Sequence, residues 1–511
     1  MAYFTYAAID IGPSKLTMKI YQVSRTQGIR DLTQVRQPIS LGSDVYSTGS
    51  VSYPTTEEIC HTLNDFKRIM KDYGVKDWQV YTTSGLREAK NAMIVIDQIQ
   101  IQTGFTVKIL SNSEARFLYY RALAIKDPNF NKIIEQGTLI ADIGGGSVQL
   151  SIFDKGKLQA TQNLLLGSTR IQELLQAMED QAYDFYDLID EYVEKDLMAF
   201  EKIYLRDAKI KNLIIMGDVI PELYTQITAE PSAAITVPVD KKTFKKGLKL
   251  IKTNSELAKQ VTPAIILVRR IAHMTRCEQV LLSRVEFCDS MVAEAAEKKA
   301  KLVSSHDFTG DILSASENMA RRYKTDMNHI GNVQNLALQF FDKIKKLHGL
   351  GRRERLLLQI SVILHSCGAY IDSIDTRECS YQIIMSSEII GLSHKERAMI
   401  AYIVRYKDGN FPSYGSLDED FTRQDYITMT KLNALLRIAN VLDKSNRQKI
   451  ENVSISLKDG QLIVTADTMA DITLEQGLFA GKATAFQNIF GVKPVLRQKR
   501  SGGRHGQIRK I

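Results

Sequence analysis

The sequence predicts an α/β protein whose N-terminal half folds as two similar lobes, followed by a helical domain with a small β-containing end. Three observations carry this. A strand, an Asp, a glycine turn and a second strand occur in that order twice, at Asp10-Ile11-Gly12 and Asp142-Ile143-Gly144, which reads as an internal duplication of one α/β unit. From about residue 305 glycines and β-branched runs thin out and helical periodicity takes over. After about Asn452 apolar and polar residues alternate around Asp459-Gly460, a strong hairpin-turn signal.

Each element follows from its residues. Tyr6 to Ile11 and Lys15 to Val23 are apolar runs around Gly12-Pro13-Ser14, the pattern of a hairpin. Thr55 to Tyr73 has helical spacing, with Thr55/Thr56 before Glu57/Glu58 as its cap. Trp78 to Thr83 reads as a strand leading into Ser84-Gly85-Leu86-Arg87, Val107 to Leu110 as a short strand, and Ser113 to Ala124 as a helix. The pattern then restarts with strands Thr138 to Ile143 and Val148 to Phe153 flanking Gly144-Gly145-Gly146-Ser147. Helical periodicity marks Asn335 to Leu347, Arg355 to His365, Ser393 to Arg405 and Thr430 to Leu442. Val453 to Leu457 and Gln461 to Ala466 are the late strands. The expected domains are 1–125 (lobe I), 126–304 (lobe II) and 305–511 (helical domain, terminal β subdomain and basic tail).

A chain of 511 residues exceeds one ordinary core. No apolar run approaches the ~20 residues of a membrane span, and the N-terminus lacks a basic segment before an apolar one, so no signal peptide is expected. Cys60, Cys277, Cys288, Cys367 and Cys379 are scattered, without a CxxC pair. A reducing, cytoplasmic setting fits this usage. The net charge of +9 favours a polyanionic partner, and Arg497, Lys499, Arg500, Arg504, Arg509 and Lys510 concentrate charge in the tail. Neither feature indicates a specific nucleic acid.

Leu139 to Ser147 is the strongest motif. Three glycines let the backbone approach a phosphate and aim N–H groups at it, and Asp142 at the strand end suits Mg²⁺, which prefers hard oxygens. The alternative is a tight hairpin without a ligand.

Tyr6 to Gly12, Ser111-Asn112-Ser113-Glu114-Ala115-Arg116 and Asp142 to Ser147 together resemble, in order and spacing, segments of the exopolyphosphatase/guanosine pentaphosphate phosphohydrolase (Ppx/GppA) family. His365-Ser366-Cys367-Gly368 and Leu436 to Asp443 resemble parts of its HD-like domain. The resemblance spans nearly the whole chain. It implies an actin/Hsp70/sugar-kinase-like (ribonuclease H-like) N-terminal half and a helical HD-like domain. It also implies Mg²⁺-dependent hydrolysis of a terminal phosphoanhydride in inorganic polyphosphate or guanosine pentaphosphate, and a homodimer. Glu114 would be the general base on the attacking water, and Arg87 would steady phosphate oxygens with its planar fork. Gly12, Ser14, Lys15, Gly144, Gly145, Gly146 and Ser147 would bind phosphate, and Asp142 and Asp10 the metal.

Departures from the family pattern cluster in the site. Pro13 removes a backbone N–H, Val148 and Gln149 replace a hydroxyl and a carboxylate, and Asp218 stands in a third loop, Met216-Gly217-Asp218-Val219-Ile220. Ser366 stands where the metal-binding HD motif needs Asp, which leaves His329, His365 and Asp443 a structural role. A catalytically weakened protein that binds polyphosphate or guanosine tetraphosphate is therefore the second reading. A sugar or acetate kinase of the same fold is the third, and is disfavoured by the missing adenosine-binding glycine pair.

Overall fold

The computed structural model describes residues 3–206, 208–217, 234–240, 242–244, 246, 255–302, 306–417 and 421–499. Asp218 and the tail from Arg500 onward lie outside them. The chain divides into two compact units between Ile312 and Leu313, a few residues past the boundary expected near 305.

The first unit holds both lobes. In lobe I, β1 (Tyr3–Ile11), β2 (Lys15–Ser24), β3 (Gly28–Pro38), β4 (Asp77–Thr82) and β5 (Val107–Ile109) are ordered β3-β2-β1-β4-β5. In lobe II, β6 (Thr138–Ile143), β7 (Val148–Asp154), β8 (Lys157–Leu164), β9 (Asn212–Gly217), β10 (Thr236–Val239) and β11 (Gln279–Ser283) are ordered β8-β7-β6-β9-β11-β10. Leaving out β10, the second order repeats the first. The pairing senses repeat too: β1 is antiparallel to β2 and parallel to β4, and β6 is antiparallel to β7 and parallel to β9. The duplication read from the two Asp-x-Gly turns is therefore a duplication of topology.

Side-chain alternation along β1 explains its near-continuous apolar sequence. Ala7, Ile9 and Ile11 enter one core with Ile59, Leu63 and Phe66, the buried face of the helix α1 (Tyr53–Asp72). Tyr6 and Ala8 enter another. A strand covered on both faces carries apolar residues at every position. The second core is closed by α2 (Asn112–Lys126) and α3 (Phe287–Ala300), through Ala115, Leu118, Phe287, Cys288 and Met291. The helix α3, expected within lobe II, thus returns to lobe I and packs on its sheet.

A buried charge cluster pins α3 there. Asp289 accepts from Lys19 Nζ (3.0 Å), Lys126 Nζ (2.6 Å) and Tyr21 Oη (2.7 Å). Burial alone would raise the Asp289 carboxyl, but Lys126 and Lys19 outweigh it and hold it below the usual carboxylate range.

Helix starts lie upstream of the expected ones. α1 is capped by Ser52, whose hydroxyl accepts from the Thr55 N–H at 3.3 Å, with Pro54 in the first turn, so Thr55 and Thr56 lie inside the helix. In the second unit α4 (Met327–Lys343) starts at Asp326, ahead of the periodic stretch from Asn335. α5 (Arg352–Leu364) and α6 (His394–Arg405) follow, and α7 (Arg423–Val441) starts from a Thr422/Asp425 capping box, ahead of Thr430. The first turn of α7 is polar (Arg423, Gln424, Asp425) and carries no apolar period, whereas in α4 the buried Ile330 and Val333 extend the apolar period ahead of the stretch read from Asn335. β12 (Val453–Lys458), β13 (Gln461–Asp467) and β14 (Lys493–Lys499) form the terminal sheet, with α8 (Thr473–Phe490) crossing between the parallel β13 and β14.

Within this unit His329 Nδ1 bonds the Asp443 carboxylate at 2.8 Å, which also accepts from the Gln448 amides. His365 is buried, bonds the Val362 carbonyl through Nδ1 at 2.6 Å, and is pushed well below the ordinary histidine value by burial. These are hydrogen-bonded core histidines. Among the described residues no helix is long and apolar enough to cross a membrane.

Because Asp289 is lowered in the fold, its stabilising contribution is full above the ordinary carboxylate range and is lost as pH falls through the lowered value. Asp289→Asn is expected to cost about 3–5 kcal/mol at neutral pH and to flatten the acid limb of stability. Urea unfolding at neutral and acid pH measures both.

Candidate functional site

The two hairpin turns close alike. Gly12 N–H donates to the Lys15 carbonyl, and Gly144 N–H to the Ser147 carbonyl, each at 3.1 Å. Register then places Asp10 opposite Thr17, and Asp142 opposite Gln149. Two equivalent strand-end carboxylates therefore face one cleft between the lobes. The cleft encloses about 670 Å³, its solvent-filled mouth included.

All nine residues expected to hold phosphate or metal line this cleft: Asp10, Gly12, Ser14, Lys15, Asp142, Gly144, Gly145, Gly146 and Ser147. Thr83, Ser84, Asn112, Ala115, Tyr119, Gln149, Gly217 and Phe287 join them. Gly217 was visible as the second residue of the third loop, and Gln149 as a departure from the family. Phe287 carried no signal, because only the return of α3 to lobe I brings it there. An adjoining recess continues the cleft past Thr17 and Arg36.

The glycines have two different jobs. A Cβ on Gly146 would lie 2.1 Å from Ser84 Oγ and 2.4 Å from Tyr46 Oη, and one on Gly145 would lie 2.8 Å from Pro13 Cγ. Both glycines let lobe I press against the lobe II turn. A Cβ on Gly144 would meet nothing closer than 3.5 Å. Pro13, which removes a possible phosphate donor, thus supplies an apolar contact across the lobes. Arg170 completes the closure: its Nε donates to the Gly146 carbonyl at 2.8 Å, it pairs with Glu88, and it stacks over the Tyr46 ring at 4.4 Å.

Glu114 and Arg87 are placed differently. Glu114 is the third residue of α2 and forms a capping box with Ser111: its carboxylate accepts from Ser111 N (3.0 Å) and Oγ (2.9 Å). Lys108 Nζ lies 3.4 Å from the same carboxylate. Glu114 is not among the cleft-lining residues; the residues of α2 that line it are Asn112, Ala115 and Tyr119, spaced three and four apart on one helical face. Arg87 also lies outside the lining. It donates to the Leu110 carbonyl (2.8 Å) and to Asn112 Oδ1 (2.7 Å), and so buttresses a residue that does line the cleft.

The oxygen donors suit a hard divalent ion. Asp10 and Asp142 offer two carboxylates beside the Ser147 hydroxyl, with room for substrate oxygens, and Mg²⁺ characteristically takes one or two carboxylates together with phosphates and waters.

Gly146→Ala is expected to destabilise the first unit by about 1–3 kcal/mol, whereas Gly144→Ala leaves stability within about 0.5 kcal/mol. Thermal unfolding of the two variants side by side tests the division of labour among the glycines.

The model of the Ppx/GppA phosphatase family matches residues 19–286, and that of Ppx/GppA phosphatase domain III matches residues 313–480. A guanosine-5'-triphosphate,3'-diphosphate pyrophosphatase of Aeromonas hydrophila is 21% identical over 471 residues, which cover 86% of this chain and 87% of that one. A bifunctional 3-dehydroquinate synthase/phosphatase of Fusobacterium nucleatum is 22% identical over 220 residues, 42% of this chain; the match spans only 32% of that protein's length. An exopolyphosphatase from Cytophaga hutchinsonii superposes with a TM-score of 0.50 at 17% identity, covering 57% of this chain and 98% of its own. That likeness establishes the two-lobed actin-like fold.

Proposed function

The chain belongs to the Ppx/GppA phosphatase family, a membership that supports a phosphoanhydride hydrolase, and we propose that it releases terminal phosphate from inorganic polyphosphate or guanosine pentaphosphate. The observation that carries this reading is the pair of equivalent carboxylates, Asp10 and Asp142, facing one cleft lined by Lys15, the glycine turn and Ser147.

In this reading Asp10 and Asp142 would hold a Mg²⁺, whose charge would offset that of the phosphate oxygens. Lys15 and the hydroxyls of Ser14, Ser84 and Ser147 position the terminal phosphoryl group, with backbone N–H groups of the glycine turn beside them. Such chemistry needs placement and charge neutralisation more than covalent help. The base is Glu114, and to reach the water its carboxylate must leave the Ser111 cap, exchanging one set of hydrogen bonds for another. A cytoplasmic homodimer belongs to the same proposal. All five cysteines are free thiols, which suits a reducing compartment.

One observation favours a second reading, a protein that holds the polyanion and turns it over slowly. None of the α2 residues that line the cleft, Asn112, Ala115 and Tyr119, carries a carboxylate, and Ala115, one residue beyond Glu114, offers only a methyl group, which cannot take a proton.

Two substitutions separate the readings. With Mg²⁺ present, phosphate release from polyphosphate and from guanosine pentaphosphate is expected to fall at least about a hundredfold in Glu114→Gln. Glutamine still suits a capping box, so stability should hold; unchanged release would remove Glu114 from the base role. If turnover is slow for want of a carboxylate on the cleft-facing side of α2, Ala115→Glu raises the rate of release above that of the unaltered chain in the same assay.

A further inference from the structure

Arg116 follows Ala115 on α2 and is fully buried, although it carries a guanidinium. Its Nε donates to Gln149 Oε1 at 2.5 Å, and its Nη1 donates to the Thr161 hydroxyl. The contact joins a helix packed on lobe I to the strands β7 and β8 of lobe II. Burying a guanidinium is costly unless its donors are met, so these acceptors are structurally required.

The pairing also fixes an orientation. A guanidinium has donors only. The oxygen of the Gln149 amide must therefore face Arg116, and the nitrogen must point the other way. Gln149 stands opposite Asp142 in the β6/β7 ladder and lines the cleft. Among the described residues its Nε2 meets no acceptor. An amide N–H₂ group is thus held ready at the place where phosphoryl oxygens arrive, beside the strand-end carboxylate.

Resting on the reading of the cleft as a terminal-phosphate site, we propose that Gln149 donates from Nε2 to a non-bridging oxygen of that phosphoryl group. Arg116 is the positioning residue that keeps this donor aimed. A glutamate at 149 would satisfy Arg116 equally well but would present an oxygen anion to the substrate. The identity of residue 149 therefore sets whether this corner of the cleft attracts phosphate directly or only through a cation.

The test is calorimetric titration of tripolyphosphate into the full-length chain, in EDTA and then in Mg²⁺. Gln149→Glu keeps the acceptor for Arg116, so the melting temperature is expected to hold or rise, while tripolyphosphate affinity in EDTA falls roughly tenfold or more. Arg116→Met should weaken binding in the unaltered chain but add nothing in the Gln149→Glu background, a non-additivity that simple destabilisation does not produce. If Arg116→Met does not fold, Gln149→Glu decides alone. Equal binding in EDTA by the unaltered chain and Gln149→Glu overturns the assignment of Gln149 and leaves the cleft reading standing. Absence of binding by the unaltered chain, even with Mg²⁺, overturns the cleft reading and this inference with it.

Discussion

Two copies of one strand-turn-strand unit can share a ligand only if their turns approach each other closely, and here the approach is set by missing side chains. Gly145 and Gly146 receive Pro13, Ser84 and Tyr46 from the opposite lobe at distances that no Cβ would permit. Gly167 packs against the same turn, where a Cβ would sit 2.2 Å from the Gly145 oxygen. Everything functional follows from this contact. It brings Asp10 and Asp142 to one cleft, whose lining also takes Ser14 and Ser147 from the two turns. Arg170, bonded to the Gly146 carbonyl, Glu88 and the Tyr46 ring, reinforces the contact from the side. The triple glycine serves lobe closure as well as phosphate approach, so its presence alone is weaker testimony to a ligand than its sequence suggests.

The duplication and the cleft were legible because both depend on local signals. An Asp at a strand end followed by a glycine turn has the same physical meaning wherever it occurs, and both copies lie where that meaning predicts. What the sequence did not disclose depends on rotation and on return. On a helix one residue is a turn of about 100°. The motif containing Glu114 could therefore be located correctly while its carboxylate faced the Ser111 cap and its neighbour Ala115 faced the cleft. The capping box was itself readable, since Ser111 precedes Glu114 by three residues, but a carboxylate suited to two roles does not say which it adopts. Phe287 and α3 were hidden for another reason: a helix that follows lobe II in the chain but packs on lobe I leaves no mark in local periodicity.

The same reasoning distinguishes the two halves of the chain. In lobe I, alternation along β1 feeds two different cores, and the apolar run was correctly taken as a strand. In the second unit the apolar period of α7 begins after a polar first turn whose cap stands upstream, whereas that of α4 already runs through Ile330 and Val333, ahead of the stretch read from Asn335. Packing, which periodicity reports, and capping, which ends the helix, are separate physical events and need not coincide.

Within the cleft, charge and hydrogen-bonding capacity are arranged unequally. The two carboxylates come from the strand ends, and the remaining polar groups around them are largely able to donate: Lys15, the serine hydroxyls and the Gln149 amide. On the proposed reading a site of this composition would grip the end of a phosphate chain. On that reading turnover would ask for something more, a carboxylate that accepts a proton from water, and the candidate, Glu114, is engaged in capping the start of α2. Binding and chemistry are thus assigned to different degrees of freedom. On the proposed reading the grip would be preorganised by lobe closure and by Arg116, whereas the base would wait on a helix terminus giving up its cap, so affinity and rate would vary independently on a single fold.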